Sequence, residues 1–461
     1  MVDRSGDGPD GRRRDPAAWL ALAEEAVRLA TAEGATQAEA LVTAEHAALT
    51  RFANSEIHQN VEETNAQLSL RFVVGQRIGV AATGRLDPEG LRTVAETAGR
   101  IARNVEANEG FTSLPAPGGP VSDLAAAWSA ATADATPEFR AEGARAVIAA
   151  ADAAGVVAYG SFATNTETIA VANSLGIRSA GDRTWSQLIT VSMGPGGGTG
   201  YAEQASVDAT AIDPPAIGRE ASDKARATAE PVSIEPGDWP VVLEEYAVVD
   251  LLDMLGYLGF SALAVQEGRS FAEPGRRVGS ELVDIWDDGA DPAGLPMAFD
   301  YEGVAKRRVP LIERGVCREV VHDAETAARA GVHSTGHGLP APNPYGPFPL
   351  NMLMAPGGTN RDELVGGMER GLLVTRFHYT NPVHPKLAIV TGMTRDGTFL
   401  VEDGRIVGPV KNLRFTQSYL DALAGIEAIG RERRCLKGFL GGVVVPAVRI
   451  ASWTFTGGTE H

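Results

Sequence analysis

Residues 67–74 read Gln-Leu-Ser-Leu-Arg-Phe-Val-Val, and this stretch sets the fold class predicted for the first half of the chain. Its even-numbered residues are all apolar, whereas Gln, Ser and Arg lie between them, which is the two-residue period of a half-buried strand. Gly75-Gln76 follows, and residues 78–82 form a second strand-like run beyond that turn. The stretch therefore predicts a β-hairpin, and with it an antiparallel sheet.

Helical patterns flank further strand-like runs in the first half. Apolar residues recur at spacings of three and four, the period of a helix face, and predict helices at Pro16–Ala32, Pro88–Asn104, 137–153 and 214–229. Strands are predicted at 38–42 and 47–52, and a strand-turn-strand pattern extends from about 156 to 207. These elements predict an N-terminal α/β domain with a mixed or antiparallel sheet.

The second half has one strong helical pattern, at 246–258, and is otherwise rich in glycine, proline and short apolar runs. Asp-Gly turns separate some of these runs, as is typical of β-hairpins. We therefore expect a mostly β C-terminal domain and an overall α+β fold. The proline- and acid-rich stretch 231–238 is the linker candidate. The expected domains are a disordered leader over 1–16, an N-terminal domain over 17–231 and a C-terminal domain over 232–461.

Composition narrows the function classes. The chain of 461 residues has 59 acidic and 41 basic side chains, a formal charge of −18. This balance argues against a nucleic-acid partner, because such binding needs Lys and Arg against phosphates. The first 16 residues lack the apolar stretch of a secretory signal, and two cysteines fit a reducing compartment. We expect a cytoplasmic protein with no membrane partner.

Residues 330–360 contain no Asp, Glu, Lys or Arg but six prolines, so they cannot form a membrane-spanning helix. They predict a long ordered loop, which in compact domains is usually functional. This loop and the segment after it supply most of the candidate ligands of the C-terminal half, together with one late cysteine: His333, His337, His378, His384 and Cys435. Two interpretations stay open: the four histidines bind substrate, or His333, His337 and Cys435 hold a metal ion.

Several motifs stand in order along the chain. In one-letter code they are RFANSEIHQ at 51–59, VQEGRSF at 265–271, DYEGV at 300–304, LIERG at 311–315, HSTGH at 333–337 and FLVEDGRIVGPV at 399–410. Each motif is weak alone. Their order and spacing resemble the TldD/PmbA (TldE) family of metallopeptidase-related proteins over nearly the whole chain.

The resemblance implies an α/β N-terminal domain, a largely β C-terminal domain and a dimer around a shielded proteolytic chamber. In TldD-type subunits a helix carries His-Glu-x-x-x-His, and a late cysteine completes a zinc site. Here Glu244, Glu245 and Val249 occupy the three positions, so only Glu245 matches. Cys435 lies roughly where TldD-type subunits place their cysteine. Since valine has no lone pair for a metal, the chain resembles the PmbA/TldE branch, whose members pair with a zinc-bearing subunit.

The leading hypothesis is a non-zinc subunit of a heterodimeric TldD/TldE-type metallopeptidase that processes peptides or peptide-derived small molecules. The chain itself would bind no cofactor, zinc would lie in a TldD-type partner, and a homodimer is the other expected assembly. Its role would be to close the chamber and to bind extended substrate by strand addition. Activity is expected only with the partner, with Glu245 the one candidate catalytic residue.

Two alternatives stay open. One is an autonomous metalloenzyme with a relocated His/Cys site, and the other is a non-catalytic binding protein. If no metal binds at the helix, Glu244 and Glu245 are expected to form a solvated or partner-facing pair.

Overall fold

The structure is a computed structural model that describes residues 15–119, 121, 124–439 and 441–459. Most of the predicted disordered leader, 1–14, lies outside the described residues. Asp15 caps the first helix by accepting a hydrogen bond of 2.9 Å from the backbone N–H of Ala17, and Pro16 is the first helical residue. Proline suits that position because its missing N–H would have no partner there.

The first region, residues 16–227, alternates helices with long strands. Its elements are α1 (Pro16–Ala32), β1 (Gln37–Ala53), β2 (Glu56–Val74), β3 (Arg77–Thr83), α2 (Pro88–Asn104), α3 (Ala130–Ala133), α4 (Pro137–Ala154), β4 (Val157–Asn173), β5 (Arg178–Met193), β6 (Thr199–Ser206) and α5 (Pro214–Ala227). The strands form one antiparallel sheet in the order β3-β2-β1-β4-β5-β6. The predicted hairpin is present, since Val74 of β2 pairs with Arg77 of β3 across the turn at Gly75.

One strand prediction is wrong. Residues 38–42 and 47–52 belong to a single strand, β1, and the polar residues between them continue it. Glu45 and His46 pair with β2 on one side and with β4 on the other. Ladder hydrogen bonds to two neighbours hold the backbone extended whatever the side-chain polarity, so the polar interruption does not end the strand.

The long helices of the first region cover one face of this sheet. Alternate strand residues such as Phe72, Phe162 and Ala170 pack there against apolar faces of α1, α2, α4 and α5. The opposite face carries Ile169 and Val171, which pack against Phe299 and other residues of the second region. The sheet is therefore buried on both faces over most of β4, and α5, beside β6 at the edge of the sheet, lies close to the second region.

The second region, residues 237–458, is mostly strand and loop. Its elements are β7 (Gly237–Leu243), α6 (Glu245–Leu258), α7 (Ala262–Gln266), β8 (Ile285–Asp287), β9 (Val309–Glu313), β10 (Val316–Cys317), α8 (Ala324–Ala330), β11 (Met352–Met354), α9 (Arg361–Gly366), β12 (Arg370–His384), β13 (Ile389–Glu402), β14 (Arg405–Pro409), β15 (Leu413–Ser418), α10 (Tyr419–Ala424), β16 (Ile426–Lys437) and β17 (Gly442–Gly458). The strands form one mixed sheet, in which β7 pairs with β12 in parallel and with β17 antiparallel. The predicted α+β class is confirmed.

The segment between the two regions is tied to the second sheet. Val232 donates its N–H to the carbonyl of Pro409 at 3.1 Å and accepts the N–H of Lys411 at 2.9 Å. The domain boundary near residue 231 stays a prediction. In the part of the chain that the structure describes, no helix has both the length and the apolar composition needed to cross a bilayer.

The contact between α5 and β6 makes Gly200 sensitive to substitution. A Cβ atom there would lie 2.0 Å from the carbonyl oxygen of Ala221 and 2.5 Å from the nitrogen of Ala225, both in the backbone of α5. We expect Gly200→Ala to lower the free energy of unfolding by about 1–3 kcal/mol, because the helix must shift. Gly408→Ala is the control, since nothing lies within 4 Å of its Cβ position. Equal denaturant midpoints for both variants would contradict this packing.

Candidate functional site

Helix α6 presents one stripe of residues, both polar and apolar, to a cavity. Its residues Tyr246, Val249, Asp250, Asp253 and Tyr257 all line this space, and their spacings of three and four residues place them on one helix face. The helix starts directly after β7, which lies between β12 and β17. The stripe is therefore fixed relative to the centre of the second sheet.

The cavity over α6 has a volume of about 880 Å³. The loop after α8 contributes Leu339, Tyr345 and Phe348, and the remaining walls come from β6, β12 and the end of β16: Tyr201, Glu203, Arg376, Phe377, Thr380, Asn381, Pro382, Leu436, Lys437, Gly438 and Phe439. A mostly apolar cavity of this size with a few polar groups is the usual form of a ligand site.

Two carboxyl groups of α6 line this cavity and have raised pKa values. Burial raises the pKa of Asp253 to about 7, and the neighbouring Asp250 and Glu203 add to the shift. Burial also raises the pKa of Asp250 to about 6, although its hydrogen bonds to Thr380 and Tyr419 act in the opposite direction. Perturbed carboxyls in a cavity are a physical reason to consider a site functional.

The N-terminus of α6 is anchored by buried ion pairs. The carboxylate of Glu244, whose side chain is 2% exposed, pairs with Lys224 of α5 at 2.6 Å and with Arg361 of α9. Burial acts to raise the pKa of Glu244, but Lys224 and Arg361 outweigh it and hold the pKa below its usual value. Three helices, α5, α6 and α9, thus meet at one carboxylate.

A second set of contacts extends this anchor to β16. Arg434 donates to the Tyr246 hydroxyl at 2.6 Å and to the Glu220 carboxylate at 3.0 Å, and Tyr246 donates to Glu220 at 3.0 Å. Burial would raise the pKa of Glu220, yet Lys224 and Arg434 lower it to about 2. The prediction that Glu244 and Glu245 form a solvated or partner-facing pair is wrong, because both side chains are buried.

The three positions aligned with His-Glu-x-x-x-His do not offer a ligand set for zinc. Both oxygens of Glu244 contact a cation, and Val249 is apolar and lines the cavity. Glu245 is buried, and its Oε2 atom has no hydrogen-bond partner among the described residues. A single carboxylate falls short of the three or four protein ligands that zinc requires.

The structure separates the candidate histidines. His337 is fully buried, and its Nε2 lies 2.7 Å from the Asp287 carboxylate, beside which stands Lys306. His333 and His384 are exposed and His378 is partly exposed, and none of the four lines the cavity over α6. The loop and the β12 segment singled out in the sequence do meet at the cavity, but other residues of theirs line it.

Cys435 lies apart from these histidines, in β16, where it lines a cleft of about 480 Å³ with Arg433 and Arg434. Burial raises the pKa of its thiol to about 12, with a further contribution from Glu203. Among the described residues, no three His, Cys, Asp or Glu side chains converge as a metal-binding group. The alternative ligand set His333, His337 and Cys435 is thus not assembled in this part of the chain.

Sequence reasoning missed the residues with the most unusual environments. Asp250 and Asp253 lie on the stripe of α6 that faces the cavity, and two acids among the mostly apolar residues 247–258 were a signal that could have identified them. Lys224, Arg361 and Arg434 carry no such signal, since their convergence on α6 depends on tertiary packing.

Comparison with known protein families gives three matches in chain order. PmbA/TldA metallopeptidase domain 1 matches residues 38–102, the central domain of that family matches 130–229, and its C-terminal domain matches 236–457. The three matches leave only short connecting and terminal segments uncovered.

Individual relatives agree with these matches. A metalloprotease of Methanothermobacter thermautotrophicus is 27% identical over 232 residues, which cover 49% of this chain and 50% of that protein. A metalloprotease TldD homolog of Buchnera aphidicola is 28% identical over 171 residues, or 36% of this chain and 34% of the relative. The chain thus aligns with half or less of the length of these curated relatives.

A solved structure supports the fold over a greater length. The crystal structure of TldE from Thermococcus kodakarensis superposes with a TM-score of 0.85 and 21% identity, covering 95% of this chain and all of that one. At this level of identity the superposition establishes a shared fold.

The ion pairs of Glu244 with Lys224 and Arg361 can be tested by measuring stability. We expect Lys224→Met to lower the free energy of unfolding at pH 7 by about 1–3 kcal/mol, because the buried Glu244 loses one of its two cations. Arg85→Met is the control, since Arg85 forms an exposed ion pair with Glu89 and its loss should leave stability almost unchanged. Denaturant unfolding compares the two variants.

The pKa values of the carboxylates around the start of α6 determine the pH range over which Lys224→Met lowers stability. Because the pKa values of Glu220 and Glu244 lie below their unfolded values, their stabilisation is complete above about pH 5 and is lost as pH falls towards 2. The difference between wild type and Lys224→Met should therefore shrink on acidification. Equal losses for the Lys224 and Arg85 variants, or a difference that grows in acid, would contradict the anchor.

Proposed function

The chain belongs to the PmbA/TldD metallopeptidase family, and we propose that it is a non-zinc, TldE-like subunit of a heterodimeric metallopeptidase. In this proposal a TldD-type partner subunit holds the zinc ion and the pair processes peptides or peptide-derived small molecules. The chain itself binds no metal at α6. It completes the reaction chamber and helps to hold extended substrate.

The observation that supports this proposal is that a buried carboxylate, paired with two side-chain cations, stands at the start of α6. Where a zinc-bearing relative carries a histidine for a metal cation, this chain has Glu244, whose carboxylate is neutralised by Lys224 and Arg361. A metal at that position would have to displace two cations, which like-charge repulsion disfavours. The helix keeps its acidic start for structural reasons, and the metal is expected in the partner.

Glu245, the residue that matches the family's glutamate, is not placed to act alone. Its side chain is 7% exposed, and a general base needs to reach the proton that it removes. Arg361 and Arg434 both lie close enough to interact electrostatically with it. In the proposal Glu245 therefore helps to hold the helix start and takes no catalytic role.

The edge of β6 supports the proposed strand addition. Among the described strands, β6 pairs with β5 alone. The backbone of Glu203 points away from β5, since its N–H donates to Tyr246 and its carbonyl accepts from Arg434. Backbone groups alternate in direction along a strand, so those of Ala205 face the same way. Ala205 lines the cleft of about 480 Å³ beside β16.

The edge of β16 that faces β6 also directs backbone groups into the cleft. Lys437 donates its backbone N–H towards β6, to the Glu203 carboxylate at 3.3 Å, so the backbone of Cys435, two residues earlier, also faces the cleft. An extended peptide in this cleft could form backbone hydrogen bonds that do not depend on its sequence. This gives the cleft, and Cys435 with it, a role in binding substrate.

Co-purification tests the proposal. We expect the chain, co-expressed with a zinc-bearing family member from the same organism, to elute with it as one complex that cleaves an unstructured peptide, while the chain alone cleaves nothing. The control is a partner whose zinc-binding histidines are replaced, which should form the complex without activity. A chain that elutes alone in both cases, or one that cleaves peptide without a partner, would overturn the proposal.

A further inference from the structure

We propose that the cavity over α6 binds the ammonium group of a ligand, either a peptide amino terminus or a lysine-type side chain, with Asp253 as its counter-ion. Exposed aromatic rings surround the opening of the cavity. One carboxylate that lines it has an oxygen atom without a hydrogen-bond partner among the described residues. As a statement about substrate chemistry this inference rests on the proposed function, but it can be tested on the isolated chain.

The rim of the cavity is unusually aromatic for an exposed surface. Tyr257 of α6 is 41% exposed, Tyr345 of the loop after α8 is 60% exposed, and Phe439 after β16 is 75% exposed. All three line the same cavity, although they come from three separate segments. Exposed aromatic rings grouped at one opening mark a binding surface, and ring faces attract cations.

Three carboxylates face the cavity, and two of them already have their hydrogen bonds. Glu203 accepts from Tyr201 at 2.5 Å and from Gln187 at 2.7 Å. Asp250 accepts from Thr380 at 2.6 Å and from Tyr419 at 2.9 Å. These two groups contribute negative charge but have little capacity left for a ligand.

Asp253 differs from these two. Its Oδ2 atom accepts the backbone N–H of Phe439 at 2.8 Å, and within the described ranges its Oδ1 atom has no hydrogen-bond partner. A Cβ atom on Gly438 would lie 2.6 Å from a methyl group of Val443, 2.7 Å from Oδ1 and 2.8 Å from Oδ2, so glycine is needed where the chain packs against this carboxylate. Asp253 nevertheless lines the cavity, and a donor group of a ligand can approach it from that side.

The cations of the cavity do not neutralise Asp253. Arg376 is bound to Asp396, with contacts of 2.5 and 2.7 Å, and also lies over the Tyr201 ring. The ammonium group of Lys437 lies 3.2 Å from the centre of the Trp185 ring. Asp253 therefore has the least compensated charge in the cavity, and an ammonium group with an apolar stem matches both the charge and the walls.

Four peptides of equal length test this inference on the isolated chain by calorimetry. One has an acetylated amino terminus and a central lysine, one has a free amino terminus and central norleucine, one has neither amine, and one is acetylated with a central glutamate. We expect at least one amine-bearing peptide to bind at least tenfold more tightly than the other two. Equal affinities, or tightest binding of the glutamate peptide, would overturn the proposal.

Variants locate the binding. Asp253→Asn keeps the shape of the side chain and should weaken binding of the preferred peptide about tenfold, since a charge-assisted hydrogen bond is lost. Tyr257→Ala, at an exposed position, should weaken it severalfold. Asp152→Asn is the matched control, because Asp152 is exposed on α4 outside the cavity. Unchanged affinity in both cavity variants would contradict the assignment.

The pH profile of wild-type affinity separates the two ligand sources and does not need a variant. Asp253 is faced by Asp250 on the same helix, Glu203 on β6, Lys437 on β16 and Arg376 on β12. Affinity should rise between about pH 5 and 8 as Asp253 ionises, and a peptide amino terminus should lose affinity again above about pH 8. A lysine side chain should keep it, and a flat profile for both would contradict the site. If the peptides show none of these preferences but the chain still forms an active complex with its zinc-bearing partner, this inference fails and the subunit proposal does not.

Discussion

The buried carboxylate of Glu244 is the contact on which the arrangement of the site depends. It joins Lys224 of α5 and Arg361 of α9 to the first turn of α6, and so connects the helix at the edge of the first sheet to two helices of the second region. A buried carboxylate with two cations avoids the large cost that an unpaired buried charge would have. Because α6 starts at this point, the positions of the cavity stripe follow from it.

In the proposed function, the same position explains how the fold can keep its form without a metal at α6. The resemblance implies that TldD-type subunits hold zinc against this helix, whereas here the cations beside Glu244 are the side chains of Lys224 and Arg361. A cavity lies next to the helix, and Val249 forms part of its wall. We infer that a binding space beside α6 is compatible with an apolar residue at this position.

Local patterns in the sequence predicted much of the fold. The alternation in 67–74 identified the β2–β3 hairpin because burial of one face imposes a two-residue period. Local patterns failed within β1, where polar residues continue the strand because both neighbours hold its backbone. The family resemblance implied that Glu244 and Val249 stand where TldD-type subunits carry histidines, but burial of Glu244 depends on Lys224 and Arg361, which are 20 and 117 positions away in the sequence.

The candidate site was less predictable than the fold, because it depends on contacts between residues that are far apart in the sequence. Histidines attract attention in a sequence as metal or substrate ligands, yet His337 is fully buried against Asp287. Asp253 matters through its surroundings, which no short motif encodes. Whether α6 binds a metal is measured most simply by the zinc content of the isolated, untagged chain after equilibration with zinc and dialysis. We expect less than about a tenth of an equivalent, whereas about one bound equivalent would show that the chain has a zinc site of its own.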